Sequence, residues 1–148
     1  MRVEVHTGSR DELRPLFELA EDSPTALDGY LGAGQVLVAL EGESIVGHLQ
    51  LVDGEIKNMA VLESHRGRGV GTELIAAAIA LAREERRPEL RVATAAAGTG
   101  NLRFYQRAGF RMRSIERDAF TAATGYPPGI EIDGIELRDR VWLDLALR

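Results

Sequence analysis

The run His65-Arg66-Gly67-Arg68-Gly69-Val70-Gly71-Thr72 leads directly into Glu73-Leu74-Ile75-Ala76-Ala77-Ala78-Ile79, so three alternate glycines stand at the mouth of an apolar helical stretch. Glycine alone enters positive-φ conformations without a side-chain penalty, which predicts a loop whose successive N–H groups turn toward one point. The helix that opens there adds its own unpaired amides and the positive end of its dipole. Together they predict a cradle for an anion, and a diphosphate suits it.

Spacing decides which phosphate ligand is meant. A P-loop carries Lys followed by Ser or Thr after its last glycine, and Val70-Gly71-Thr72-Glu73 supplies no Lys. The dinucleotide fingerprint is G-x-G-x-x-G, whereas Gly67, Gly69 and Gly71 read G-x-G-x-G. Both nucleotide readings weaken. The formal charge of -5 argues against nucleic acid as a bulk partner, because phosphate affinity grows with clustered Lys and Arg. With no Cys there is no disulfide, no thiolate metal site and no cysteine nucleophile, so acyl chemistry here cannot pass through a thioester on the protein.

The six residues from Arg66 to Gly71 resemble the acyl-CoA signature of the GNAT superfamily of N-acetyltransferases, R/Q-x-x-G-x-G/A, with Arg66, Gly69 and Gly71 in its fixed places. Both flanks support the resemblance. Glu55-Ile56-Lys57-Asn58-Met59-Ala60-Val61-Leu62 reads as a strand after the Asp53-Gly54 turn, where GNAT folds place the strand that precedes the cradle. Asn101-Leu102-Arg103-Phe104-Tyr105-Gln106-Arg107-Ala108-Gly109-Phe110 resembles the family's second signature, a helix ending at glycine before another strand. The resemblance implies an α/β fold: a mixed, largely antiparallel sheet with helices on both faces and a V-shaped cofactor cleft. It also implies acetyl-CoA as acyl donor, no metal, and transfer of the acetyl group to a primary amine of a small molecule or peptide by direct attack in a ternary complex. A catalytically silent acyl-CoA sensor or scaffold is the rival reading.

The 148 residues, 45% of them hydrophobic and 28% charged, suit one domain over 1–148. No window approaches a membrane span and the N-terminus lacks a signal-peptide core, so the expectation is a cytoplasmic protein without a membrane partner. Arg2–His6 alternates like a first strand, and a helix is expected over Glu12–Ala20, capped by Ser9 or Asp11. Ser23–Leu31 reads as a second short helix with Pro24 in its first turn. Gln35–Leu40, Ser44–Val52 and the Glu55 strand form a meander. The cradle helix is expected to end at Pro88, with strands over Glu89–Thr94 and Phe110–Glu116. Asp133-Gly134 signals a hairpin, and Val141–Leu147 is expected to close the sheet. The β-rich tail is compatible with a homodimer.

Acyl transfer from a thioester to an amine needs a place for developing oxygen charge, a neutral amine and a proton for the departing thiolate. By the resemblance, backbone N–H groups of Ala60 or its neighbours Met59 and Val61 hold the thioester carbonyl. The amides of Gly67, Arg68, Gly69, Val70, Gly71 and Thr72 hold the diphosphate, with Arg66 and Arg68 flanking it. Tyr105 stands where the family's thiolate-protonating tyrosine stands; packing beside Phe104 is the alternative. Asn101 either touches the pantetheine arm or caps a helix. Glu55 is the candidate base, its alternative a glutamate beside a turn, and simple alternation would place it on the face of Met59 and Val61. His48 is a second candidate base or a structural histidine. Asp118, Tyr126 and Asp133 are expected to shape the amine pocket.

Overall fold

Runs buried on both faces make strands of Gln35–Glu41 (β2) and Ser44–Val52 (β3), Glu55–Val61 forms β4, and two tight turns fold the three into a meander. At the second turn Asp53 and Gly54 both have positive φ, 49° and 82°, the conformation that an Asp-Gly pair accommodates best. The computed structural model describes residues 1–148 and adds Arg2–Val5 (β1) to the outer edge of β2. Beyond β4 lie Glu89–Ala95 (β5), Arg111–Glu116 (β6), a small hairpin of Glu131–Ile132 (β7) and Ile135–Glu136 (β8), and Arg140–Ala146 (β9).

The main sheet has seven strands in the order β1-β2-β3-β4-β5-β9-β6, and every pairing is antiparallel except β4 with β5. That parallel pair is short. Only Glu55 with Arg91 and Ile56 with Val92 are in register, after which the two strands part and open the sheet into a V.

Helices cover both faces. Arg14–Glu18 (α1) and Pro24–Tyr30 (α2) lie on one, where Phe17, Leu27 and Leu31 pack with Val36, Val38 and Leu40. Val70–Glu84 (α3) and Thr99–Arg107 (α4) lie on the other, where Leu74, Ala78 and Tyr105 share a core with Leu37, Leu49 and Leu143. No helix is long and apolar enough to cross a membrane.

Three expectations need correction. The helix expected over Glu12–Ala20 is a 3-10 turn, Arg10–Leu13, followed by the short α1; Pro15 in the first turn of α1 has no N–H to continue the ladder from the preceding turn. The cradle helix stops at Glu84, before Pro88, where Arg86 takes a positive φ of 59°. β9 does not close the sheet but threads between β5 and β6, because it carries the buried Val141 and Leu143 whereas every residue of β6 is exposed. An arginine-rich strand suits the edge better than an apolar one.

Candidate active site

α3 begins without a side-chain cap. Gly69, its N-cap, sits in the left-handed region at φ 82°, and Gly67 has φ 76°, so the chain coils back over the helix mouth as the glycine spacing predicts. The first helical bond at this end runs from the Glu73 amide to the Gly69 carbonyl (3.0 Å), and the amides from Gly67 to Thr72 donate to no group of the chain. Gly71 departs from expectation: it is helical, and its constraint is steric. A Cβ there would stand 3.1 Å from the Phe104 ring and 3.5 Å from Met59 Cε.

Next to the cradle runs β4, whose free edge forms one wall of the V. The Leu62 amide bonds the Val46 carbonyl of β3 (2.9 Å). By the two-residue strand period the Ala60 amide turns the same way, and the amides of Met59 and Val61 turn to the gap. The Val61 carbonyl, also on the gap side, accepts from Arg66 Nε at 3.2 Å, which ties the loop to the strand.

The β3–β4 register jumps from Gln50↔Asn58 to Leu51↔Ile56, leaving Lys57 as a bulge. One extra residue reverses the facing of all that follow. Met59 and Val61 therefore share a face with Ile56, toward α3, while Glu55 shares the opposite face with Asn58 and Ala60, toward α1 and α2. This corrects the alternation that put Glu55 with Met59 and Val61. The Glu55 side chain is one-fifth exposed, and its Oε2 lies 4.0 Å from the Lys57 ammonium.

Tyr105, on α4, is nearly buried between the edges of Phe104 and Phe110. Its hydroxyl has one weak partner, Met59 Sδ at 3.8 Å, and burial pushes its pKa above the ordinary phenol value. The group is an acid with its proton in place at neutral pH. Asn101 is exposed on the third residue of α4; Gly98 is the N-cap, so Asn101 does not cap this helix.

Tyr105, Glu55 and every expected acetyl-CoA-binding residue except Arg68 line one cleft of about 1020 Å³. Tyr126 lines its far end and Asp133 also lines the cleft; Asp118 does not, being turned to Arg138 at 3.0 Å. His48 is fully buried, stacked on Phe17, with Nε2 2.7 Å from Asn58 Oδ1. Burial lowers its pKa to about 4, and it does not reach the cleft. It is structural.

Glu21, Tyr30, Phe120 and Trp142 complete the far end and had no local signal in the sequence. Glu21 Oε2 accepts from Tyr126 Oη at 2.6 Å across 105 residues of chain, and its Oε1 accepts from Tyr30 Oη at 3.0 Å. Of one Trp, three Tyr and four Phe, all but Phe17 and Phe110 line this cleft.

The model of the Acetyltransferase (GNAT) family matches residues 6–110. The Bacillus subtilis (strain 168) protein YvbK, an uncharacterized N-acetyltransferase, is 35% identical over 98% of this chain and 97% of its own length. Among solved structures, a Bacillus subtilis acetyltransferase in complex with CoA aligns at TM-score 0.89 and 33% identity, over 99% of each chain. A GNAT family acetyltransferase from Elizabethkingia anophelis with acetyl-CoA bound aligns at TM-score 0.86 and 31% identity, over 98% of this chain and 97% of that one.

Proposed function

Because the chain belongs to the GNAT acetyltransferase family, we propose that it moves an acetyl group from acetyl-CoA to a primary amine of a small molecule or peptide by direct attack in a ternary complex. The observation that carries this is the run of unpaired amides from Gly67 to Thr72, opening into the same cleft as the parted edges of β4 and β5. Unpaired N–H groups at a helix mouth fit a diphosphate without any lysine. Arg66, held on the Val61 carbonyl, stands beside them, and Asn101 offers its amide to the pantetheine arm.

Acetyl-CoA supplies a thioester whose carbonyl carbon is open to attack. The gap-facing amides of Met59 and Val61 hold the carbonyl oxygen, where fixed N–H groups stabilise the charge that develops there. Tyr105, protonated and close to Met59, gives its proton to the departing sulfur. Glu55, on the opposite face of β4, takes the proton of the incoming ammonium through water. No cysteine is present, so the transfer does not pass through a thioester on the protein.

Thermal unfolding with CoA and acetyl-CoA, followed by free-thiol release against a panel of amines, tests the reading. Ligand at about a hundredfold above its Kd adds roughly 2.7 kcal/mol of stability, equivalent to a Tm rise of about 5–10 °C for a chain of this size. Stabilisation without thiol release for any amine would make the chain an acyl-CoA sensor, and no stabilisation would overturn the cradle itself.

A further inference from the structure

The far end of the cleft holds negative charge that the protein does not neutralise. Arg66 and Arg107, also on the cleft wall, belong to the cradle loop and to α4, while the cations beside Tyr30 and Tyr126 are both committed: Lys57 lies 4.0 Å from Glu55 and over the Tyr30 ring, and Arg140 pairs with Glu116 at 3.2 Å and stacks on Phe120, which packs on Tyr126. Glu21, Asp22 and Asp133 line the cleft, and none of them forms an ion pair. Glu21 is nevertheless fixed in place. Its carboxylate accepts from the phenols of Tyr30 and Tyr126 and, at 3.3 Å, from the Ser23 amide, so three donors aim it.

Those partners are all neutral. An ionised carboxylate has about four lone-pair sites, so one remains for a further donor. The Tyr126 oxygen, having given its proton to Glu21, also keeps its lone pairs free, and aromatic faces attract cations. The complement of a fixed carboxylate, a phenol oxygen and aromatic walls is an ammonium group.

That ammonium is not the reacting one. The nucleophile must be a neutral amine in the gap between β4 and β5, next to Met59 and Tyr105, which lie on the α3 face of β4. Glu21 stands on the other face, joined through Tyr30 Oη to the side chain of Asn58. Resting on the acetyltransferase reading above, we infer that Glu21, framed by Tyr30 and Tyr126, determines specificity by receiving a second positive charge of the substrate, so that the preferred substrates are diamines or longer polyamines.

The test pairs each linear diamine of three to six carbons with the amino alcohol of equal length, using thiol release from acetyl-CoA by the full chain. In the native protein the kcat/KM of the best diamine exceeds that of its amino alcohol at least tenfold. In Glu21→Gln, which keeps an oxygen for one phenol but removes the charge, that ratio collapses toward one, and Tyr126→Phe lowers it in part. A general loss of fold or catalysis lowers both substrates together and leaves the ratio unchanged. Equal use of diamine and amino alcohol by the native protein, thiol release from no diamine, or an undiminished ratio in both variants would overturn the inference. If CoA still raises the Tm and other amines still release thiol, the acetyltransferase reading survives that result.

Discussion

Tyr105 and His48 are both buried, yet burial serves opposite ends in them. The phenol is kept protonated beside the gap, with only a sulfur contact at 3.8 Å to lose. Removing a hydroxyl so weakly bonded leaves no strong partner stranded, so Tyr105→Phe should unfold at nearly the native temperature. Its kcat should fall by about a hundredfold or more, the range for a lost general acid. The imidazole is kept neutral instead. Burial depresses its folded pKa to about 4, below the ordinary 6.5, so the unfolded chain binds the extra proton first. Stability is therefore complete above about pH 6.5 and is lost as pH falls through 4, by on the order of 3 kcal/mol. In urea titrations from pH 7.5 to 4, His48→Gln should show a smaller acid loss than the native chain; an identical loss would place the sensitivity elsewhere. The cradle glycines, tyrosine and asparagine could be placed on one cleft from the sequence because their order along the chain is local. Glu21 could not be, since its partner Tyr126 lies 105 residues away and only folding joins them.

At the scale of elements, the cradle helix and β4 are placed by two devices that differ in how they show in sequence. The Asp53-Gly54 turn and the glycines at 67 and 69 announce themselves, because positive φ restricts residue choice. The bulge at Lys57 does not, for any residue can be the extra one, and it alone moves Glu55 across the sheet. β9 was misplaced for a related reason: strand order is set by burial against distant partners, which period-two alternation does not encode. Gly71 resembles Gly67 and Gly69 in the sequence but differs in cause. If the limit is the Phe104 ring at 3.1 Å, Gly71→Ala should lose about 1–3 kcal/mol through overpacking. Phe104→Leu in the same chain should then restore part of the loss in stability and in CoA affinity. A backbone restriction at Gly71 would predict no such rescue, so the double variant separates the two causes.

The seven-stranded sheet is joined between β4 and β5 by only two residue pairs, Glu55 with Arg91 and Ile56 with Val92. Such a seam admits a ligand, and it also raises the question of whether the β1–β4 half and the β5, β9, β6 half unfold together. The packing argues that they do. One continuous core runs under α3 from Leu37 and Leu49 on the first side to Leu90, Val92 and Leu143 on the second, so neither half can open without exposing the other's apolar face. Trp142, the single tryptophan, stands in β9 and reports on the second half alone, whereas far-ultraviolet dichroism reports on both. Thermal curves from the two signals should coincide, and the calorimetric enthalpy should equal the van't Hoff value, as for a two-state transition. Fluorescence that moves several degrees before or after the dichroism would mean that the seam, and not the shared core under α3, sets the cooperativity of the fold. CoA, which by the proposed reading bridges the cradle and the edge of β4, should shift both curves upward by the same amount.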